Sequence, residues 1–126
     1  MRSLISLPLW LLATAALAAP LSPEARAEIE ALVSRLETSG CEVNRNGTWY
    51  PAADVRLHLM TKLGYLEARG AVENAEQFIE RAASGSSMSG RPYLIKCGDN
   101  PPMETGTWLS QQLQAMRASA RPANPP

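Results

Sequence analysis

Cys41-Glu42-Val43-Asn44-Arg45-Asn46-Gly47-Thr48-Trp49-Tyr50 reads as a tight β-hairpin. A type I′ turn needs two consecutive residues with φ > 0, and Asn46-Gly47 tolerates that demand best. Such a turn sets the register of its strands, so Cys41, Val43 and Arg45 share one face and Trp49 lies opposite Tyr50. A second strand-like run, Tyr93-Leu94-Ile95-Lys96-Cys97, ends on the other of the chain's two cysteines. Which hairpin strand this run joins is left open by the sequence.

Helices surround these strands. Ser22 is placed as an N-cap, with Pro23 at the first helical position and Glu24 against the helix dipole. Ile29, Leu32, Val33 and Leu36 follow at helical spacing, and Thr38-Ser39-Gly40 ends the helix. A second helix is expected from Pro51 to Arg69, with Gly70 as its C-terminal cap. Ala52, Val55, Leu59, Leu63 and Leu66 form its inward stripe. Asp54, His58, Lys62, Tyr65 and Arg69 form one flank, and Leu57 and Met60 fall outside the stripe. Asn74-Ala75-Glu76-Gln77 resembles a capping box opening a short third helix that buries Phe78, Ile79 and Ala82. A Gly/Ser loop, Ser84 to Pro92, feeds the Tyr93–Cys97 run. Thr105 or Thr107 is expected to cap a last helix carrying Trp108, Leu109, Leu113 and Met116. These elements predict an α+β fold, about four helices on a small antiparallel sheet made of the hairpin plus one further strand.

Residues 1–18 read as a signal peptide. Arg2 is the positive n-region, Leu4 to Leu17 is mainly apolar, and Ala16-Leu17-Ala18 is a small-x-small cleavage site. The apolar run is too short to span a bilayer as an anchor, and no integral membrane segment is expected in the mature chain. Residues 19–117 form a single domain, and 118–126, small, polar and proline-rich, a disordered tail. The 126-residue sequence carries no net charge, and about −1 without Arg2. It therefore lacks the basic footprint of a nucleic-acid or anionic-membrane binder. Two cysteines in an exported chain allow one intramolecular pairing, Cys41 with Cys97, which an oxidising compartment favours.

Four islands, taken in order, carry a resemblance: Arg45-Asn46-Gly47-x-x-Tyr50, His58-Leu59-x-x-Lys62, Ala75-x-x-Phe78-Ile79, and Ser86-Ser87-x-Ser89-Gly90-x-Pro92-Tyr93. Their order and spacing resemble the YfeK-like family of small exported proteobacterial proteins, a domain of unknown function. The resemblance covers roughly Leu21 to Met116. It implies a Gram-negative periplasmic address and no activity, so no catalytic residue is carried over.

The candidate chemistry lies on the second helix and in the serine loop. Asp54, His58 and Lys62 are spaced i, i+4, so Asp54 can orient His58 while Lys62 opposes its protonation. The bland alternative is a boundary histidine beside a solvated salt bridge. His58 is the sole histidine, hence the sole histidine available as a general base. Gly85-Ser86-Ser87-Met88-Ser89-Gly90 lacks the spacing and context of a nucleophile elbow. It can instead offer N–H and hydroxyl groups to an anion, with Lys62 or Arg91 as counter-charge, or simply bond its own backbone. Trp49, Tyr50, Tyr65 and Tyr93 suit ligand stacking or core packing. Metal-ligand spacing and phosphate-binding glycine fingerprints are absent from the sequence, and no cofactor is expected.

The expectation is a periplasmic binding or interaction module for a small polar ligand or an envelope component. Its hypothesised ligand-binding residues are His58, Lys62, Ser87, Ser89, Arg91 and Tyr93. The alternatives are a small hydrolase or transferase using His58 as base, and a protein inhibitor or envelope accessory factor working through the Leu57/Met60 side.

Overall fold

The computed structural model describes residues 3–11 and 20–121. The Ala16-Leu17-Ala18 cleavage site lies outside them, as do residues 122–126. Residues 3–11 form neither helix nor strand, and Leu4, Ile5, Leu7, Leu9, Trp10 and Leu11 stand exposed. No described helix is long and apolar enough to cross a membrane.

The fold is α+β. Helix α1 spans Pro23–Glu37, and the hairpin is β1 (Glu42–Arg45) and β2 (Thr48–Pro51). A 3-10 turn, Ala52–Asp54, leads into α2, Arg56–Glu67. Helix α3, Ala75–Phe78, widens into a π turn at Ile79–Ala83. Strands β3 (Leu94–Lys96) and β4 (Met103–Glu104) precede α4, Thr105–Ala120.

The sheet has four antiparallel strands in the order β2-β1-β3-β4. It gains one strand over expectation, because Pro101-Pro102 ends the excursion after Cys97 and returns Met103 beside Ile95. The open choice for the third strand resolves to β1, with Val43 opposite Ile95. Tyr50, Val43, Ile95 and Met103 thus form one row across the sheet facing the helices, while Trp49, Asn44, Leu94 and Glu104 form the outward row. The inward row meets Ile29, Leu32, Val33 and Leu36 of α1, Leu59 and Leu63 of α2, Phe78, and Leu109 and Leu113 of α4 in one core.

Local signals explain most boundaries. Ser22 Oγ accepts from the Ala25 N–H at 3.1 Å, and Asn74 Oδ1 accepts from the Gln77 N–H at 2.8 Å. The hairpin turn has φ of 53° at Asn46 and 90° at Gly47, the left-handed pair that type I′ requires. Cys41 and Cys97 are bonded, with their Cα atoms 4.4 Å apart.

Four boundaries differ from expectation. Pro51 ends β2 rather than opening α2, because the Ala52 N–H donates to the Cys41 carbonyl and keeps the chain on the sheet one residue longer. Helix α2 stops at Glu67, where the Gly70 N–H donates to the Glu67 carbonyl and the Ala71 N–H to that of Leu66. Helix α4 is capped by neither threonine hydroxyl. Thr105 is its first residue, buried, with its N–H given to the Tyr93 carbonyl at 2.8 Å. The same helix continues to Ala120, so residues 118–120 occupy its last turn.

Candidate functional site

Strand parity and helix periodicity bring four polar side chains to one place. Arg45 shares the inward face of β1 with Val43, one residue before the turn. Tyr93 sits just before β3 on the face of Ile95. On α2, His58 and Lys62 are one turn apart and meet both at the boundary between helix and sheet. Arg45 Nη2 lies 3.0 Å from His58 Nδ1, and His58 Nε2 lies 3.1 Å from Tyr93 Oη. Lys62 Nζ donates to the Gly85 carbonyl at 2.9 Å and to Tyr93 Oη at 3.4 Å. The Arg45 guanidinium stands 5.3 Å from the Tyr50 ring centroid, and Lys62 Nζ stands 5.2 Å from that of Tyr93.

The protonation pattern follows from the partners. A guanidinium can only donate, so Nδ1 of His58 must accept and the ring proton sits on Nε2. Nε2–H then donates to Tyr93 Oη, which also accepts from Lys62. No described neighbour accepts the Tyr93 hydroxyl proton. Arg45 Nε is buried and has no partner among the described residues. The ion pairs among the described residues join Arg26 with Glu67, Arg56 with Glu37, and Arg117 with Glu28 and Glu76, and none reaches Arg45 or Lys62. The cluster is therefore rich in donors and lacks a carboxylate.

Burial, then the charges of Arg45 and Lys62, push the His58 imidazole below its ordinary pKa of 6.5. Burial, with Arg45 second, likewise lowers that of Lys62. Unfolded chains protonate His58 near 6.5 while the folded protein does so at lower pH, so between the two values the unfolded state holds more protons. Stability attributable to neutral His58 is complete above the unfolded value and falls as pH drops through the folded one. Melting curves between about pH 7.5 and about pH 5.5 will show this decline. In His58→Gln the decline is shallower, because the imidazole no longer contributes to it.

Of the six hypothesised residues, the structure brings together His58, Lys62 and Tyr93. Ser89 is one step removed, its hydroxyl donating to Asn46 Oδ1 at 2.7 Å and so tying the serine loop to the hairpin turn. Ser87 is exposed and meets none of the cluster. Arg91 is also exposed, and what it contributes is backbone: its carbonyl accepts from the Ser86 N–H at 2.9 Å. The loop N–H groups of Met88 and Ser89 already donate to Ser86 Oγ, so the loop largely bonds itself. Asp54 is exposed and does not orient His58; Arg45 holds that position instead. Tyr65 is mostly exposed, and Arg69 stacks 3.5 Å from its ring centroid.

Arg45 opens the first of the four islands but was not among the hypothesised site residues. Its placement on the Val43 face was the available signal; that β1 would lie against His58 was not. Gly85 was missed too. A Cβ there would meet the Arg91 carbonyl oxygen at 2.9 Å, so glycine lets the two loop ends close and aims its own carbonyl at Lys62.

The imidazole has both nitrogens engaged, and no serine oxygen among the described residues bonds it. A cleft of about 500 Å3 lies elsewhere, between the α3 and π-turn segment and α4, lined by Glu80, Glu104, Ser110 and Leu113 among others.

Residues 23–117 match a family of unknown function, DUF5329. The chain belongs to this family. The uncharacterised protein YfeK of Salmonella typhimurium is 33% identical over 91 residues, 71% of this chain and 68% of that protein. The matched residues run from α1 into α4 and include the positions of the whole cluster. No solved structure matches the chain.

Proposed function

We propose that the protein is a small exported binding module that works in the periplasm and holds a small polar ligand at the Arg45–His58–Tyr93–Lys62 cluster. One observation carries this reading. Side chains from β1, α2 and the segment before β3 converge at one boundary, and their mutual hydrogen bonds leave donor groups without acceptors. A cluster serving structure alone would be expected to satisfy its donors internally. Export is supported by the apolar N-terminal stretch, whose described part packs against nothing in the domain, and by the bonded cysteine pair.

The test is a protein-observed NMR titration of the oxidised protein with pooled periplasmic metabolites and peptidoglycan fragments. Shifts will cluster at Arg45, His58, Lys62, Gly85 and Tyr93. Lys62→Met will weaken binding at least about tenfold, the loss of one charge-assisted hydrogen bond, with little change in melting temperature. Ser87→Ala will change neither. Silence across the pool, or equal loss of stability and no loss of ligand in Lys62→Met, overturns the reading.

A second reading, an accessory factor with a protein partner, draws on Leu57. This leucine is 79% exposed beside a cleft of about 450 Å3 lined by Glu37, Arg56 and Met60. It predicts a partner lost in Leu57→Glu and retained in Lys62→Met.

A further inference from the structure

We infer that the ligand group held by this cluster is an oxyanion, and that it is taken up together with a proton on His58. The inference rests on the binding reading above and adds the ligand's chemistry and its coupling to pH.

The argument is geometric. Arg45, a permanent cation, is paired with a neutral imidazole nitrogen where a carboxylate or other anion would be its ordinary partner. Lys62, the second cation, bonds only a carbonyl and a phenol oxygen. Every group facing His58 has the same character. Arg45 faces it from β1 and Lys62 from its own helix, while Tyr93, before β3, faces it as a hydroxyl already accepting twice. Asp54, one turn before His58, is exposed and does not bond the ring. Two cations and a phenol thus surround the ring, and no acid among the described residues pairs with them. An oxyanion supplies the missing acceptor.

The same contacts dictate the coupling. A proton on Nδ1 would set an N–H against the Arg45 N–H at a separation of 3.0 Å, two donors with no acceptor between them. The cluster by itself therefore resists protonation, in agreement with the lowered imidazole value. An anion oxygen resolves the conflict. The Arg45 Nη2–H to Nδ1 bond breaks, a solvent proton adds to Nδ1, and the anion accepts from both N–H groups. No covalent bond of the ligand changes. By reciprocity, the factor by which the anion raises the proton affinity of His58 equals the factor by which the proton raises anion affinity.

Because His58 is the sole histidine, its ring resonances report the coupling without assignment ambiguity. The probes are sulfate, which keeps its charge across the range, and acetate, at constant ionic strength. His58 is titrated by NMR with and without each anion, and each anion's affinity is measured near pH 7.5 and near pH 5.5. The expected result is a higher His58 pKa with sulfate or acetate and a matching rise in affinity toward low pH, about tenfold for each unit of pKa change. His58→Gln, which cannot take up the proton, gives a flat affinity. Arg45→Gln returns the empty-state His58 pKa toward 6.5. Anion binding at Arg45 with no pH slope overturns the proton coupling and leaves the binding reading standing. No binding of either anion at any pH, with a ligand from the pool shifting the cluster, overturns the oxyanion assignment alone. No binding of anion or pool overturns both.

Discussion

Replacing Cys41 and Cys97 together by alanine is expected to lower stability by about 4 kcal/mol. The bond joins residues 56 apart in sequence, and closing a loop of that length removes that much entropy from the unfolded chain. A domain of this size is stable by roughly 5–15 kcal/mol, so the loss takes a large share of the total. The bond also sits where it matters for the cluster. Cys41 immediately precedes β1, which carries Arg45, and Cys97 immediately follows β3, which is entered through Tyr93. Alanine suits the vacated positions because Cys41 is buried, and a serine there would bring a hydroxyl into the core. Urea unfolding of the oxidised protein and of the double variant measures the difference as a lower midpoint. A loss under about 1 kcal/mol would mean that the β1–β3 ladder and the core hold the strands together without the bond.

Phe78→Ala is expected to cost about 3–5 kcal/mol, the range for emptying a fully buried aromatic site. Phe78 is 0% exposed and heads the largest fully buried side chains. It ends α3 where the helix widens into the π turn, and α3 packs on α1 while that turn packs on α2 and α4. A cavity at this joint has helices on several sides, so collapse to fill it would require several elements to move together. The damage should reach the cluster as well. The π turn runs directly into Ser84, whose hydroxyl donates to the Ile79 carbonyl at 2.6 Å, and then into Gly85, whose carbonyl holds Lys62. Denaturant unfolding gives the stability loss, and the His58 resonances of the folded variant report whether the neighbouring loop has loosened. A cost under about 2 kcal/mol would show that the helices can close over the vacancy.

Local signals made much of the fold legible. The Asn46-Gly47 turn, the Ser22 and Asn74 caps, the stripe along α1 and the pairing of the cysteines all depend on neighbours in sequence, on 3.6- or two-residue periodicity, or on counting. The two-residue strand β4 was not legible, because a strand so short has no period of its own and exists through pairing with β3. The cap of α4 was misread for a related reason: Thr105 is drawn into the core with its N–H on Tyr93, a contact twelve residues back that no capping pattern contains.

For the candidate site, the sequence by itself determined that His58 and Lys62 share a helix flank, that Arg45 shares the face of Val43, and that a serine-rich loop ends at Tyr93. Each statement follows from the geometry of a single element. Only the tertiary structure decided that Arg45, and not Asp54, is the partner of His58, and that Ser87 stands apart from the cluster. Asp54 was the nearer residue in sequence, but the 3-10 turn before α2 leaves it exposed. Arg45 reaches the imidazole because β3 chose β1 as its neighbour and the core drew α2 against that end of the sheet. Periodicity tells each residue which way to face. What it faces depends on the packing of elements distant in the chain, and that is set by the burial of apolar surface shared among them.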